Sequence, residues 1–249
     1  MTPTRLITGA SHGIGLAMTA RCLRAGDRVF AVSRAPDRSD ALAALAAEAP
    51  DRLHPLAADL CDEDAVARLF ETVRAHTDTL DALVHCAGLL HDAETGLSPE
   101  KRVEDVNLAA LQRVFAINGF APILLARYLL PLMPRRQPGV FASVSARVGS
   151  IEDNHLGGWY SYRASKAAQN QLLRTLAIET RRRYPQLCVI SLHPGTTDTP
   201  LSEPFQRNVP EGKLFSPERA ARQLADIIDN ADEKDHGRYI AWDKRDIPW

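Results

Sequence analysis

Hydrophobic positions along the chain follow two rhythms. Short, almost unbroken apolar runs recur as RLIT, RVFAVS, LHPLAA, LDALVHCAG, GVFASVS, LCVISLHPG and RYIAW, and the longer stretches between them repeat at helical spacing. A run with no polar alternation marks a strand covered on both faces, and such strands separated by helices build a parallel sheet with helices on each side. The pattern predicts an α/β fold, a doubly wound parallel sheet of about seven strands.

The helical stretches carry their own punctuation. IGLAMTARCLRAG ends at Gly26, suited to the position just past a helix, and SDALAALAAEA opens at Ser39 as a cap and stops at Pro50. DEDAVARLFETVRAH follows, and then VEDVNLAALQRVFAINGFAPILLARYLLPLM, whose pattern breaks at Gly119 and Pro122. The proline predicts a kink, since it lacks a backbone donor. No repeat, low-complexity tract or Gly/Ser linker interrupts residues 1–249, which predicts a single domain. The least regular segment, Asp198 to Ser216, follows a strand and is expected to form a mobile lid over a ligand site.

Composition narrows the function classes. A chain of 249 residues with 45% hydrophobic and 24% charged positions can bury one sizeable core, and its net charge of −1 offers no footprint for nucleic acid or an anionic membrane. The start of the chain has no basic region leading into a long apolar run, and no segment holds 18 consecutive apolar residues. A soluble, cytoplasmic protein is expected. Cys22, Cys61, Cys86 and Cys188 are far apart without metal-type spacing, which predicts free thiols in a reducing compartment.

Two stretches carry chemistry. Directly after the first strand, TGASHGIG places Gly9, Gly13 and Gly15 where a turn enters an apolar helix, with Ser11, His12 and Ile14 between them. Glycines there let backbone amides approach a pyrophosphate, and the helix N-terminus favours its charge. This is a Rossmann-type arrangement for a dinucleotide. The second strand ends in Ser33 and Arg34, where an acid would ordinarily bind the ribose of NAD. A hydroxyl and a permanent cation suit a 2′-phosphate instead, so NADP(H) is expected over NAD(H), with His12 on the same side. Farther on, Tyr162 has Lys166 four residues downstream, on one helix face, whereas Tyr160 has Ala164 at that spacing. A nearby ammonium favours a phenolate, so Lys166 is expected to lower the Tyr162 pKa.

With TGASHGIG, HCAG at His85–Gly88, FAING around Asn118, YRASK and HPGTTDT in this order, the chain resembles the short-chain dehydrogenase/reductase family. SARVGSIEDNHLGGWYSYRASKAAQN and the ending GRYIAWDKRDIPW resemble its C-factor-like branch of bacterial signalling proteins. The resemblance implies hydride transfer between a nicotinamide and a carbonyl or alcohol, with Tyr162 as general acid/base, Lys166 tuning it and Asn118 holding a water in a proton relay. Asn107 sits too early for that role and reads as a helix-start residue. The family's substrate-binding serine is usually the second of S-S-x-x-G, and here that position is Ala146. Ser145 is the candidate by a one-residue slip, with Ser143 and Ser150 behind it; strand alternation points Ser143 and Ser145 the same way.

The resemblance also assigns Asp59 and Leu60 to the adenine, Ala87 and Gly88 to close packing of the adenosine, and Pro194, Gly195, Thr197 and Thr199 to the turn that binds the carboxamide or phosphates. His85 reads as a strand-end histidine satisfied locally, and Trp159 either lines the substrate mouth or simply packs. A homodimer or homotetramer through the long helices is implied. Two functions compete: an NADP(H)-dependent oxidoreductase on a small carbonyl or secondary alcohol, and a dinucleotide-binding signalling protein with little turnover, to which Ala146 points. The residues do not identify the substrate.

Overall fold

The computed structural model describes residues 2–249, Asn208 by its backbone only. All seven apolar runs become strands: β1 (Thr4–Thr8), β2 (Arg28–Ser33), β3 (Leu53–Ala57), β4 (Ala82–His85), β5 (Gly139–Val144) and β6 (Leu187–His193). A two-residue pair, β7 (Thr196–Thr197) with β8 (Leu214–Phe215), stands apart, and β9 (Tyr239–Ala241) completes the main sheet. Strand order is β3-β2-β1-β4-β5-β6-β9, and every pairing is parallel. Register places Thr8 between Val32 and His85, and His85 opposite Ser143. The strand expected from LDALVHCAG is shorter than its apolar run, because Cys86 to Gly88 leave the sheet to meet the glycine loop.

Helices α1 (Gly13–Arg24), α2 (Asp40–Glu48) and α3 (Glu63–His76) alternate with the first strands. Then come α4 (Leu108–Phe115), α5 (Ala121–Leu129), the 24-residue α6 (Tyr160–Arg183) and α7 (Pro217–Asp229). Alternation along the strands divides the core: Ile7, Val29, Ala31, Ala142 and Ile190 face α1, α2 and α7, while Leu6, Phe30, Val32, Phe141 and Val189 face α3, α5 and α6.

The break between α4 and α5 is built as a π turn. Ala116–Phe120 form one π turn, in which Ala121 N donates to Ala116 O five residues back. Pro122 enters at the start of α5, and its missing N–H is absorbed by this wider turn. The run Leu108–Leu132 is long and apolar enough to cross a membrane by length and composition, but Ala121, Leu125, Ala126 and Leu129 are buried in the core.

Candidate active site

A parallel sheet delivers all its strand ends to one edge, so residues distant in sequence meet there. Winding reverses between β1 and β4, the point at which open α/β sheets bind their ligands. The glycine loop is folded tightly at this point. Gly9 has φ +65°, and a Cβ on it would lie 2.8 Å from Ala87 N; a Cβ on Gly15 would lie 2.2 Å from Gly9 O. Neither position has room for a side chain, which is why β1, α1 and the Ala87–Gly88 loop close on one another. Gly13 lies against Thr199, bringing the loop after β6 to the same place. Ser39 Oγ accepts from Leu42 N (3.2 Å) as the α2 cap and donates to Ser11 O (2.7 Å), tying that cap to the glycine loop. Ile14 packs on the core behind the loop.

The far end of the edge carries charges of both signs, with Arg68 paired to Asp62 (3.6 Å). Arg34 and Arg68 line a cavity of about 330 Å³ with Asp59, Asp62 and Thr72. Burial first, and the Arg34 charge second, hold the His12 imidazole below the usual histidine range, so His12 and Arg34 are neighbours. Asp59 accepts from Cys61 N (2.9 Å) and closes its own turn, with Leu60 buried beside it. Ser33 Oγ is buried without a hydrogen-bond partner, an unusual state for a hydroxyl. An amide-rich glycine cradle, two guanidinium groups beside a cavity and a hydroxyl with a bond still to make fit a nicotinamide dinucleotide.

Tyr162 and Lys166 are both buried near the start of α6, whereas Tyr160 is 43% exposed. Lys166 Nζ stands 5.9 Å from the centre of the Tyr162 ring. It donates to Val144 O and to Gln169 Oε1, both at 2.9 Å. Burial pushes the ammonium down to about 7, with Cys86 opposing. Burial, and then Tyr239, push the Tyr162 phenol above the ordinary tyrosine range. The expected lowering of Tyr162 by Lys166 is therefore absent from this geometry: desolvation of both groups outweighs attraction to a cation close to losing its own proton. Burial thus favours the neutral phenol of Tyr162.

Asn118 sits in the π turn with no exposure. Its Oδ1 accepts from Leu89 N and its Nδ2 donates to Leu89 O, each at 2.8 Å, and Nδ2 also donates to Ser165 Oγ at 3.1 Å. Ser165 Oγ in turn donates to Tyr162 O (2.8 Å). The amide thus ties the loop after β4 to the tyrosine's own backbone. What Asn118 has left to offer is its carbonyl, whose helical donor would be the N–H that Pro122 lacks. Asn107 caps α4, accepting from Ala110 N (2.9 Å).

Of the serines, Ser145 lies just past β5 and donates to Asn170 Oδ1 (2.7 Å) on α6. Ser143, two residues deeper, accepts from Gln169 Nε2 (2.7 Å), so both face α6. Ser150 is turned elsewhere, toward Trp249 O (3.4 Å) and Asp153 N (3.0 Å). Ala146 offers no hydroxyl, and its carbonyl accepts from the Tyr239 hydroxyl. Thr197 and Thr199 bond within their own turn, after Pro194 and Gly195. At the end of β4, His85 Nδ1 pairs with Thr8 Oγ1 (2.9 Å). That oxygen also accepts from Cys86 N and Ala87 N, so its proton goes to Nδ1. Burial, and then Lys166, push the ring down to about 3, so His85 is a neutral strand-to-strand tie.

A family model described as short chain dehydrogenase matches residues 4–210. The chain belongs to the short-chain dehydrogenase family. A 1-hydroxy-2-glutathionyl-2-methyl-3-butene dehydrogenase of Rhodococcus sp. (strain AD45) is 28% identical over 246 residues, 99% of each chain. The C-signal of Myxococcus xanthus is 30% identical over 145 residues, 58% of this chain and 82% of that one. An NADPH-bound carbonyl reductase from chicken fatty liver superposes with a TM-score of 0.87 at 25% identity, covering 100% of this chain and 99% of that chain.

Around this short-chain dehydrogenase site lie Trp159, read from the sequence as a mouth or packing residue, and several residues that the sequence pattern does not single out. Trp159, with φ +53°, sets its ring edge-on to Tyr162 (6.2 Å) and to Phe205 (4.9 Å), and Phe205 meets His91 (5.8 Å). These rings form an aromatic wall beside the tyrosine. Glu100, a buried acid from the loop before α4, accepts from Ser161 N (3.1 Å) and from Ser161 Oγ, and so caps α6 one residue before Tyr162. Gln169 and Asn170 are buried polar residues one turn beyond Lys166. No regular spacing marks an isolated loop acid or an amide on a helix, so only the assembled site reveals them.

Proposed function

We propose that this short-chain dehydrogenase is an NADP(H)-dependent oxidoreductase acting on a carbonyl or secondary alcohol, with Tyr162 as general acid and base. The observation that carries the reading is the buried pair Tyr162 and Lys166 meeting the glycine cradle: a Cβ on Gly88 would come 3.9 Å from Lys166 Nζ, and Ala87, beside Gly88, abuts Gly9. When bound, the nicotinamide supplies or accepts the hydride. Gly9 to Gly15 hold the phosphates, Ser33 and Arg34 with Arg68 take a 2′-phosphate, and Asp59 and Leu60 flank the adenine. Thr197 and Thr199 serve the carboxamide end. The NADPH held by the chicken carbonyl reductase supports this choice of cofactor.

In carbonyl reduction, Tyr162 donates its proton to the oxygen as it becomes an alkoxide, and desolvation keeps that proton in place until it is needed. An ammonium has three donors, and Lys166 spends two on Val144 and Gln169, leaving one for a ribose or the phenol. A water on the Asn118 carbonyl returns the proton. Ser145, exchanging Asn170 for substrate, donates to the same oxygen. The aromatic wall suits an apolar substituent, and Asp198–Ser216 acts as a lid with Phe205 at its contact point. Exposed Leu108 and Ile178 on the outer faces of α4 and α6 meet a second copy of the chain.

NADPH and NADH oxidation with a panel of aldehydes, ketones and quinones tests the reading. NADPH turnover should fall by about 10²–10⁴-fold in Tyr162→Phe while NADPH binding persists. Binding without turnover in the parent would favour a ligand-binding protein, the reading that the missing hydroxyl at Ala146 supports.

A further inference from the structure

Among the described residues, Lys166 reaches neutral partners only. Facing it are Tyr162 on its own helix, His85 and Cys86 at the end of β4, and the Val144 carbonyl of β5. Near neutral pH none is charged: His85 is pushed down to about 3, Cys86 up to about 12, and Tyr162 up as well. The remaining partner is Gln169, fully buried one turn along α6. Its amide is committed at both ends. Oε1 accepts from Lys166 Nζ (2.9 Å), while Nε2 donates to Ser143 Oγ (2.7 Å) and Val144 O (3.3 Å). Those two Nε2 bonds fix which way the amide points, leaving an oxygen, not a nitrogen, for the lysine.

We propose that Gln169 is a positioning residue for Lys166, holding its ammonium against the end of β5 and governing, as a neutral acceptor, whether that group is charged. The proposal rests on the functional reading only for its consequence in catalysis; the effect on Lys166 stands by itself. An acceptor oxygen stabilises the charged form, and a carboxylate in the same place would stabilise it much more. Burial opposes the charge, and Gln169 is the side-chain acceptor that, beside the Val144 carbonyl, offsets it.

The experiment is a titration of Lys166 itself. With ¹³Cε-labelled lysine the protein carries five signals, from Lys101, Lys166, Lys213, Lys234 and Lys244, and the one lost in Lys166→Met identifies the residue. The parent signal should titrate near 7. Gln169→Glu should raise the midpoint by at least about one pH unit, and Gln169→Leu should lower it. Gln169→Glu retains length and acceptor oxygen, so it reads the proposal even where the leucine variant does not fold. Midpoints within about 0.3 unit of the parent in the folded variants would overturn the proposal. The pH–rate profile of NADPH oxidation, taken alongside, separates the two readings. A moved midpoint with an unmoved profile upholds Gln169 and removes Lys166 from the reaction, whereas movement of both in the same direction supports both.

Discussion

Single residues at this site are governed by desolvation more than by charge pairing. His85 gives the clearest consequence. An unfolded chain protonates this ring near its ordinary 6.5, the folded chain only near 3. Between those values the unfolded state binds the extra proton, so stability falls as pH drops through that window. Urea melts at pH 7 and 4 should show the parent losing on the order of 2–3 kcal/mol more than His85→Asn over that interval. At the β2 end, Arg34→Ala should weaken NADPH by about 10–100-fold with NADH little changed, read by nicotinamide fluorescence titration. An unchanged NADPH/NADH ratio would remove Arg34 from phosphate recognition. Tyr162, Lys166 and the three glycines were legible because chemistry imposes spacing on them. Gln169 was not, because a buried amide looks in sequence like any polar residue on a helix, and the protonated state of Tyr162 depends on burial that no spacing encodes.

At the scale of elements, the helix that carries the tyrosine depends on a loop for its start. Trp159 precedes α6 in a left-handed conformation and contributes no side-chain cap, so Glu100 supplies one from sixty residues away. Removing that carboxylate leaves the Ser161 donors buried and unpaired. Glu100→Ala should therefore lower stability by about 1–3 kcal/mol in chemical denaturation, with Glu100→Gln losing less. An equal denaturation midpoint in the parent and the alanine variant would mean that Ser161 finds another partner. The seven strands were readable because strands buried on both faces leave apolar runs. The structure adds detail to two element-level expectations. The break at Gly119 and Pro122 is a π turn, since a wider turn absorbs a missing donor as well as a kink does. The irregular Asp198–Ser216 segment holds β8 and a 3₁₀ turn over Glu203–Asn208, too short to show any period.

Across the whole molecule, the exposed apolar surface carries the expectation of assembly. Leu108 and Ile178 are each 68% exposed on α4 and α6. Sedimentation velocity should find a dimer or tetramer, and Leu108→Glu with Ile178→Glu should shift it toward monomer. A parent that sediments as a monomer would overturn that assembly.

Strand order has a further consequence, for synthesis on the ribosome. Neighbouring strands β1, β2 and β3 are all made by Ala57, so that half of the sheet can pair while the rest is still being translated. At the other end, β6 presents an open, apolar edge throughout the synthesis of Thr196 to Arg238, until β9 arrives to cover it. Unpaired edges of that kind recruit other chains. A nascent chain stalled or truncated before Tyr239 would therefore aggregate from its β6 edge while the β1–β3 half was already folded.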